Sequence, residues 1–76
     1  MKTKVFFRKF SDGEIIALFP DIIVDHRGHI GSYVHIGQHG GADPLLIREL
    51  EAASSLEYAD LYAELQSIGY TLLITD

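Results

Sequence analysis

The sequence predicts an α+β domain: a small, mostly antiparallel sheet of about 3–5 strands with one helix packed on one face, in the order β-β-β-(β)-α-β. Three observations carry this. Residues 3–36 hold short runs of β-branched and aromatic residues punctuated by turn signals, Asp12-Gly13 first among them. A single later stretch has apolar residues at helical spacing, between a capping signature at Ser54 and a glycine at position 69. Beyond it, residues 70–75 alternate once more.

Each element has its own reason. Residues 3–10 and 14–20 are apolar, aromatic and β-branched, and Ser11-Asp12-Gly13 between them forms a hairpin turn, because glycine accepts the positive φ that the turn needs. Pro20 ends the second strand or places its end at a sheet edge. Residues 21–29 read as a loop with an apolar patch, Ile22-Ile23-Val24, and a turn at Arg27-Gly28. Residues 30–36 alternate: Ile30, Ser32, Val34 and Ile36 face one way, and Gly31, Tyr33, His35 and Gly37 the other. Gly37 to Pro44 is expected to be a loop, and Leu45 to Leu50 a short fourth strand or an irregular run. Ser54-Ser55-Leu56-Glu57 fits a capping box with Ser54 as N-cap. Tyr58, Leu61, Tyr62, Leu65 and Ile68 then form the apolar stripe of a helix, with Glu57, Asp60, Glu64 and Gln66 toward solvent and Gly69 as a left-handed stop. In the final strand Tyr70, Leu72 and Ile74 share a face.

Composition sets limits on function. The 76 residues, 1–76, form one domain. The formal charge of −5 gives a field that opposes nucleic acid and anionic membranes. Lys2, Lys4, Arg8 and Lys9 alternate with Val5, Phe6, Phe7 and Phe10, so they read as solvated residues of a strand rather than a basic patch. Cysteine is absent, which excludes disulfides, thiolate catalysis and cysteine-ligated zinc. No apolar run approaches the roughly 20 residues of a membrane span, and charge interrupts any signal-like apolar region among the N-terminal lysines. The expected location is the cytoplasm.

The segment Ser32–Asp43 stands out. It gathers Tyr33, His35, Gln38, His39, Asp43 and three glycines in a chain that otherwise builds a core. Tyr33, His35, Gln38, His39 and Asp43 are therefore the candidate ligand- or partner-binding residues, set on a loop held by a sheet. The plainer account is that the glycines form a bulge and a turn which Gln38 and His39 tie down by hydrogen bonds.

Metal and catalysis are weaker readings. His26-x-x-His29 flanks a turn and Asp25 is a possible third ligand, but the spacing matches no strong zinc pattern. On a continuous strand His35 and His39 would lie about 13 Å apart at about 3.3 Å per residue, too far to share one ion. No metal site and no cofactor are expected. His39 with Asp43 would make an oriented base serving Tyr33 or Ser32, but neither serine lies in a nucleophile-elbow sequence. The glycine-rich run lacks the lysine and the following helix of a phosphate-binding loop.

Four stretches together resemble a known group of sequences: Val5–Phe10, Asp12–Pro20, Ser32-Tyr33-x-His35-x-Gly37-Gln38-His39-Gly40-x-Ala42-Asp43, and Glu57–Leu65. The chain resembles a family of small uncharacterised hypothetical proteins of bacteriophages and mobile elements of gut bacteria. The resemblance covers nearly the whole chain and implies a phage or mobile-element origin. It transfers no catalytic residue, and His26 and His29 stand where that family commonly carries other residues.

The first hairpin also bears on assembly. Phe6 and Phe10 face one way, Val5 and Phe7 the other, and the second strand is equally apolar on both sides. One helix covers one face, so the other is left to the 21–29 loop, a second copy or a partner. The sequence thus reads as a phage-type accessory protein that acts by binding, to itself and to a host protein. The alternative is a small-ligand binder or minimal enzyme built on loop 37–43 with Tyr33, His35 and His39.

Overall fold

The computed structural model describes residues 2–34 and 38–75. Its elements are β1 (Thr3–Lys9), β2 (Ile15–Ile23), β3 (Ile30–Val34), β4 (Gln38–Ala42), α1 (Leu46–Glu49), β5 (Glu51–Ala52), α2 (Ser55–Ile68) and β6 (Leu72–Thr75). One six-stranded sheet runs β4-β3-β2-β1-β5, and β6 also pairs with β1. All pairings are antiparallel except that of β6 with β1. The fold is α+β, as the sequence predicts.

The β1–β2 hairpin closes through Gly13 N–H to Phe10 O (2.9 Å) and Phe10 N–H to Glu14 O (2.9 Å), with Gly13 at φ +92°. Pro20 does not end β2. It sits where the pairing with β3 slips between Phe19 and Ile23, an irregular stretch that tolerates the missing N–H. The 21–29 loop is correspondingly shorter than expected, and Ile22 and Ile23 belong to β2.

The two sheet faces bury separate cores. Val5, Phe7, Ala17, Phe19 and Tyr33 pack under α2 with its Leu61 and Leu65, and Leu72 of β6 joins the same cluster. Tyr58 stacks on Phe7 (centroids 4.3 Å apart), and Tyr70 on Phe19 (5.2 Å). The stripe on α2 is core, as its spacing predicts, except that Ile68 is half exposed (50%). On the opposite face Ile16, Leu18, Ile30 and Ala42 are buried, with Leu46, Ile47 and Leu50 packed on them. Neither the 21–29 loop nor a second copy is needed to cover that face. Residues 45–50 cover it.

Those residues are not a strand. Asp43 accepts from Leu45 N–H through Oδ1 (2.9 Å), Pro44 fixes the next φ, and Leu46 and Ile47 N–H bond back to the carbonyls of Asp43 and Pro44. The turn this starts sets Leu46 and Leu50 four apart on one side, where an extended run would have pointed neighbours to opposite faces.

Arg8 also departs from the reading as a solvated strand residue. It is only 7% exposed, and lies on the α1 face, paired with Ile16. Its Nε donates to Ile47 O (2.8 Å), one guanidinium N–H donates to Phe7 O (3.1 Å), and the group lies 5.0 Å from the Phe6 ring centroid. Arg8 thereby fastens the C-terminal end of α1, where a cation is favoured, to the sheet.

The capping box of α2 is complete. Ser54 Oγ accepts from Glu57 N–H (3.3 Å), and Glu57 Oε1 accepts from Ser54 N–H (2.9 Å). Lys9 Nζ donates to Glu57 Oε2 (2.7 Å), so the start of the helix is also tied to β1. Ser54→Ala should cost about 1 kcal/mol. In a domain of this size that lowers Tm by roughly 4–8 °C. An unchanged melting curve would place the functional cap elsewhere.

The Lys9 hydrogen bond, helped by the Ser54 N–H, holds the Glu57 carboxyl down at about 2, from an ordinary 4.5. Its folded value is lowered, so its contribution is complete above the ordinary value and is lost as pH falls toward the lowered one. Thermal melts taken from about pH 5 down to about pH 2 should therefore fall more steeply for the parent than for Glu57→Gln. Parallel curves would show that the pair adds nothing to acid stability.

Candidate functional site

Of the predicted site residues the structure brings Tyr33 and His39 together, and sets Gln38 and Asp43 apart from them. Tyr33 is 1% exposed, in the α2-side core, and its hydroxyl donates to the Glu64 carboxylate. His35 lies outside the described residues. Gln38 and His39 are both exposed on β4, but as neighbours on a strand they point to opposite sides. Asp43 is engaged at the start of α1. Along extended β4 it is about 13 Å from His39 at about 3.3 Å per residue, so the oriented base does not form. Ser32 is buried, and Gly40 and Gly41 are strand residues rather than a loop presenting N–H groups to an anion.

The glycines have a packing role. Gly31 and Gly41 face each other across β3 and β4. A Cβ on Gly41 would stand 3.0 Å from Val24 Cγ2, and one on Gly31 3.2 Å from Ile22 Cγ2. Segment 22–24 folds over bare backbone there, which only glycine allows without a shift.

His39 has found other partners. Its ring meets the Tyr33 ring edge-on (centroids 4.6 Å apart), and its Nε2 lies 3.2 Å from the Tyr70 hydroxyl. Beside it is a shallow groove of about 310 Å³ lined by His39, Ile68, Gly69 and Tyr70. The groove therefore lies between β4 and the C-terminal end of α2. Gly69 closes that helix at φ +117°, its N–H bonding to the carbonyls of Gln66 and Leu65. The last turn holds no basic residue, and no described donor reaches the carbonyls of Ser67 and Ile68.

The sequence did not single out Ile68, Gly69 or Tyr70 for this place. Ile68 was read as core and Tyr70 as a strand residue. The available signal was Ile68 itself, an apolar residue at the helix exit beside a glycine stop, where burial is poorest.

The outer edge of β4 is the second feature. Among the described residues β4 pairs only with β3, so one side of its backbone is open. Gln38, His39, Gly40 and Gly41 are all exposed, and this edge has no lysine or proline to discourage pairing.

His29 is tied into the turn that leads to β3. Asp25 Oδ1 accepts from the N–H groups of Arg27 (2.9 Å) and His29 (3.2 Å), and Oδ2 lies 2.6 Å from His29 Nδ1. The His29 contact is the main cause that lowers the Asp25 carboxyl below its ordinary value. Among the described residues no group of three or more metal-ligating side chains comes together. No described helix is long and apolar enough to cross a membrane.

Comparison with known proteins finds no matching family model, no matching curated protein and no matching solved structure.

Proposed function

We propose that this chain acts by binding another protein, and that β4 with its adjoining groove is the recognition surface. The open, unprotected edge of β4 is the observation that carries the reading. An exposed strand edge offers a row of backbone donors and acceptors, and an extended segment of a partner pairs with it as an added strand. The mobile-element resemblance favours a host protein as that partner. The acidic charge and lack of cysteine suit the cytoplasm. A second copy of the chain is the other occupant the edge admits, in place of the face that residues 45–50 cover.

The ligand or enzyme alternative draws less support from the described residues. Tyr33 is buried and hydrogen-bonded, and Asp43 is engaged elsewhere, which leaves His39 without an orienting carboxylate.

His39→Ala tests the reading. The side chain is exposed, so its removal should cost within about 1 kcal/mol, the scale of one aromatic pair. Proteins captured from a bacterial lysate by the parent should be lost or strongly depleted with the variant. A destabilised variant that still captures the same proteins would refute the recognition role.

A further inference from the structure

We infer that the groove beside His39 takes a lysine or arginine side chain from the added strand. This rests on the proposal that β4 accepts a strand, and adds the chemistry of the segment that binds.

Directly paired residues of adjacent strands share a face of the sheet. Tyr33 pairs with His39 from the β3 side, on the face covered by α2. The incoming residue opposite His39 therefore lies on that same face, at the mouth of the groove formed with Ile68, Gly69 and Tyr70. What that residue meets is set by the end of α2. The carbonyl end of a helix carries a partial negative charge. Here no basic residue in the last turn offsets it, and the carbonyls of Ser67 and Ile68 have no described donor. The chain as a whole carries −5, which further favours a cation.

The walls suit the rest of such a side chain. Ile68 is half exposed and presents an apolar surface to an aliphatic stem. The Tyr70 ring, stacked on Phe19 and so held in place, offers a π surface to an ammonium or guanidinium group. A carboxylate at the same position would meet the helix carbonyls with like charge, and an apolar residue would leave them without a donor.

The test uses a display library of random ten-residue peptides selected on the intact chain. Selected peptides should carry Lys or Arg at one fixed position between β-prone residues. Their binding should slow hydrogen exchange of β4 amides. Ile68→Lys puts an ammonium in the groove at a helix end that tolerates it, so the variant should fold as the parent does and bind the same peptides at least tenfold more weakly. Ile68→Leu should bind as the parent does. Peptides that protect β4 but show no basic preference, and bind Ile68→Lys unchanged, would overturn the inference and leave strand addition standing. Peptides that bind without protecting β4 would overturn both, as would a library that yields no binder. A dimer in light scattering, with β4 already protected in the free protein, would assign the edge to a second copy and overturn the inference.

Discussion

Leu65→Ala is expected to lose about 3–4 kcal/mol of stability, the middle of the range for emptying a well-packed leucine site. A 76-residue domain holds roughly 4–11 kcal/mol in total, so this one change removes a large share of it. Leu65 is fully buried, and packs in the core formed by Phe7, Phe19, Tyr33 and Leu72. Leu65 also sits one turn before Ile68 and Gly69, and its carbonyl accepts from both Gly69 and Tyr70 N–H. Its loss therefore loosens the helix end that lines the groove, along with the core. Chemical denaturation should show the full loss, with Tm lowered by more than about 12 °C. A cost below about 1 kcal/mol would mean that the helix end is not docked as described.

This part of the molecule was the most legible in the sequence. The capping contacts of Ser54, Glu57 and Gly69 are made within a few residues of themselves, and the stripe of Tyr58, Leu61 and Leu65 obeys a single period, so local chemistry and tertiary packing agree. The segment 38–50 was misread for the opposite reason. Its glycines suggested a loop because glycine disfavours strands in isolation, but Gly41 is where segment 22–24 crosses, and no local pattern records that crossing. Leu45–Leu50 read as a short strand or an irregular run because an apolar run has no period of its own, and Asp43-Pro44 was the cue to a helical start. The candidate site was legible in part, through the contact of Tyr33 with His39. Closeness in sequence suggested that Tyr33, Gln38, His39 and Asp43 form one site, but a strand's alternation separates Gln38 from His39, and its length separates His39 from Asp43. The partners His39 does have, Tyr33 and Tyr70, come from two other parts of the chain.

Arg8→Met is expected to cost about 2 kcal/mol and to release α1 from the sheet. Two effects oppose each other. Removing a buried charge relieves a desolvation cost, and replacing buried ions with apolar residues is stabilising in some proteins. Against that, hydrogen bonds from charged groups contribute about 1.5–3 kcal/mol each. Phe7 O would keep a partner in Ala53 N–H at 3.1 Å, whereas Ile47 O has no other described donor. Methionine would recover the stem's packing over Phe6 but not the bond that holds the end of α1. The loss should win by the worth of that one bond. Hydrogen exchange at Leu50, whose N–H bonds to Leu46 O within this turn, should quicken more than exchange in α2. A variant as stable as the parent, with Leu50 exchange unchanged, would show that apolar contacts alone hold α1.

The parallel pairing of β6 with β1 has a consequence for the order in which the chain folds during synthesis. The β1–β2 hairpin joins neighbours in sequence and can close as soon as both strands leave the ribosome. The other side of β1 has to wait. Lys9 and Arg8 pair with Glu51 and Ala52, and Thr3 to Phe6 pair with Leu72 to Thr75, across almost the whole chain. Until those residues emerge, the strand that ends up in the interior of the sheet is itself an open edge, carrying Val5, Phe6 and Phe7. Such transient edges are where nascent chains pair with the wrong neighbour. In the nascent chain Lys4, Arg8 and Lys9 within that strand, and Lys2 just before it, put like charges where two copies would meet.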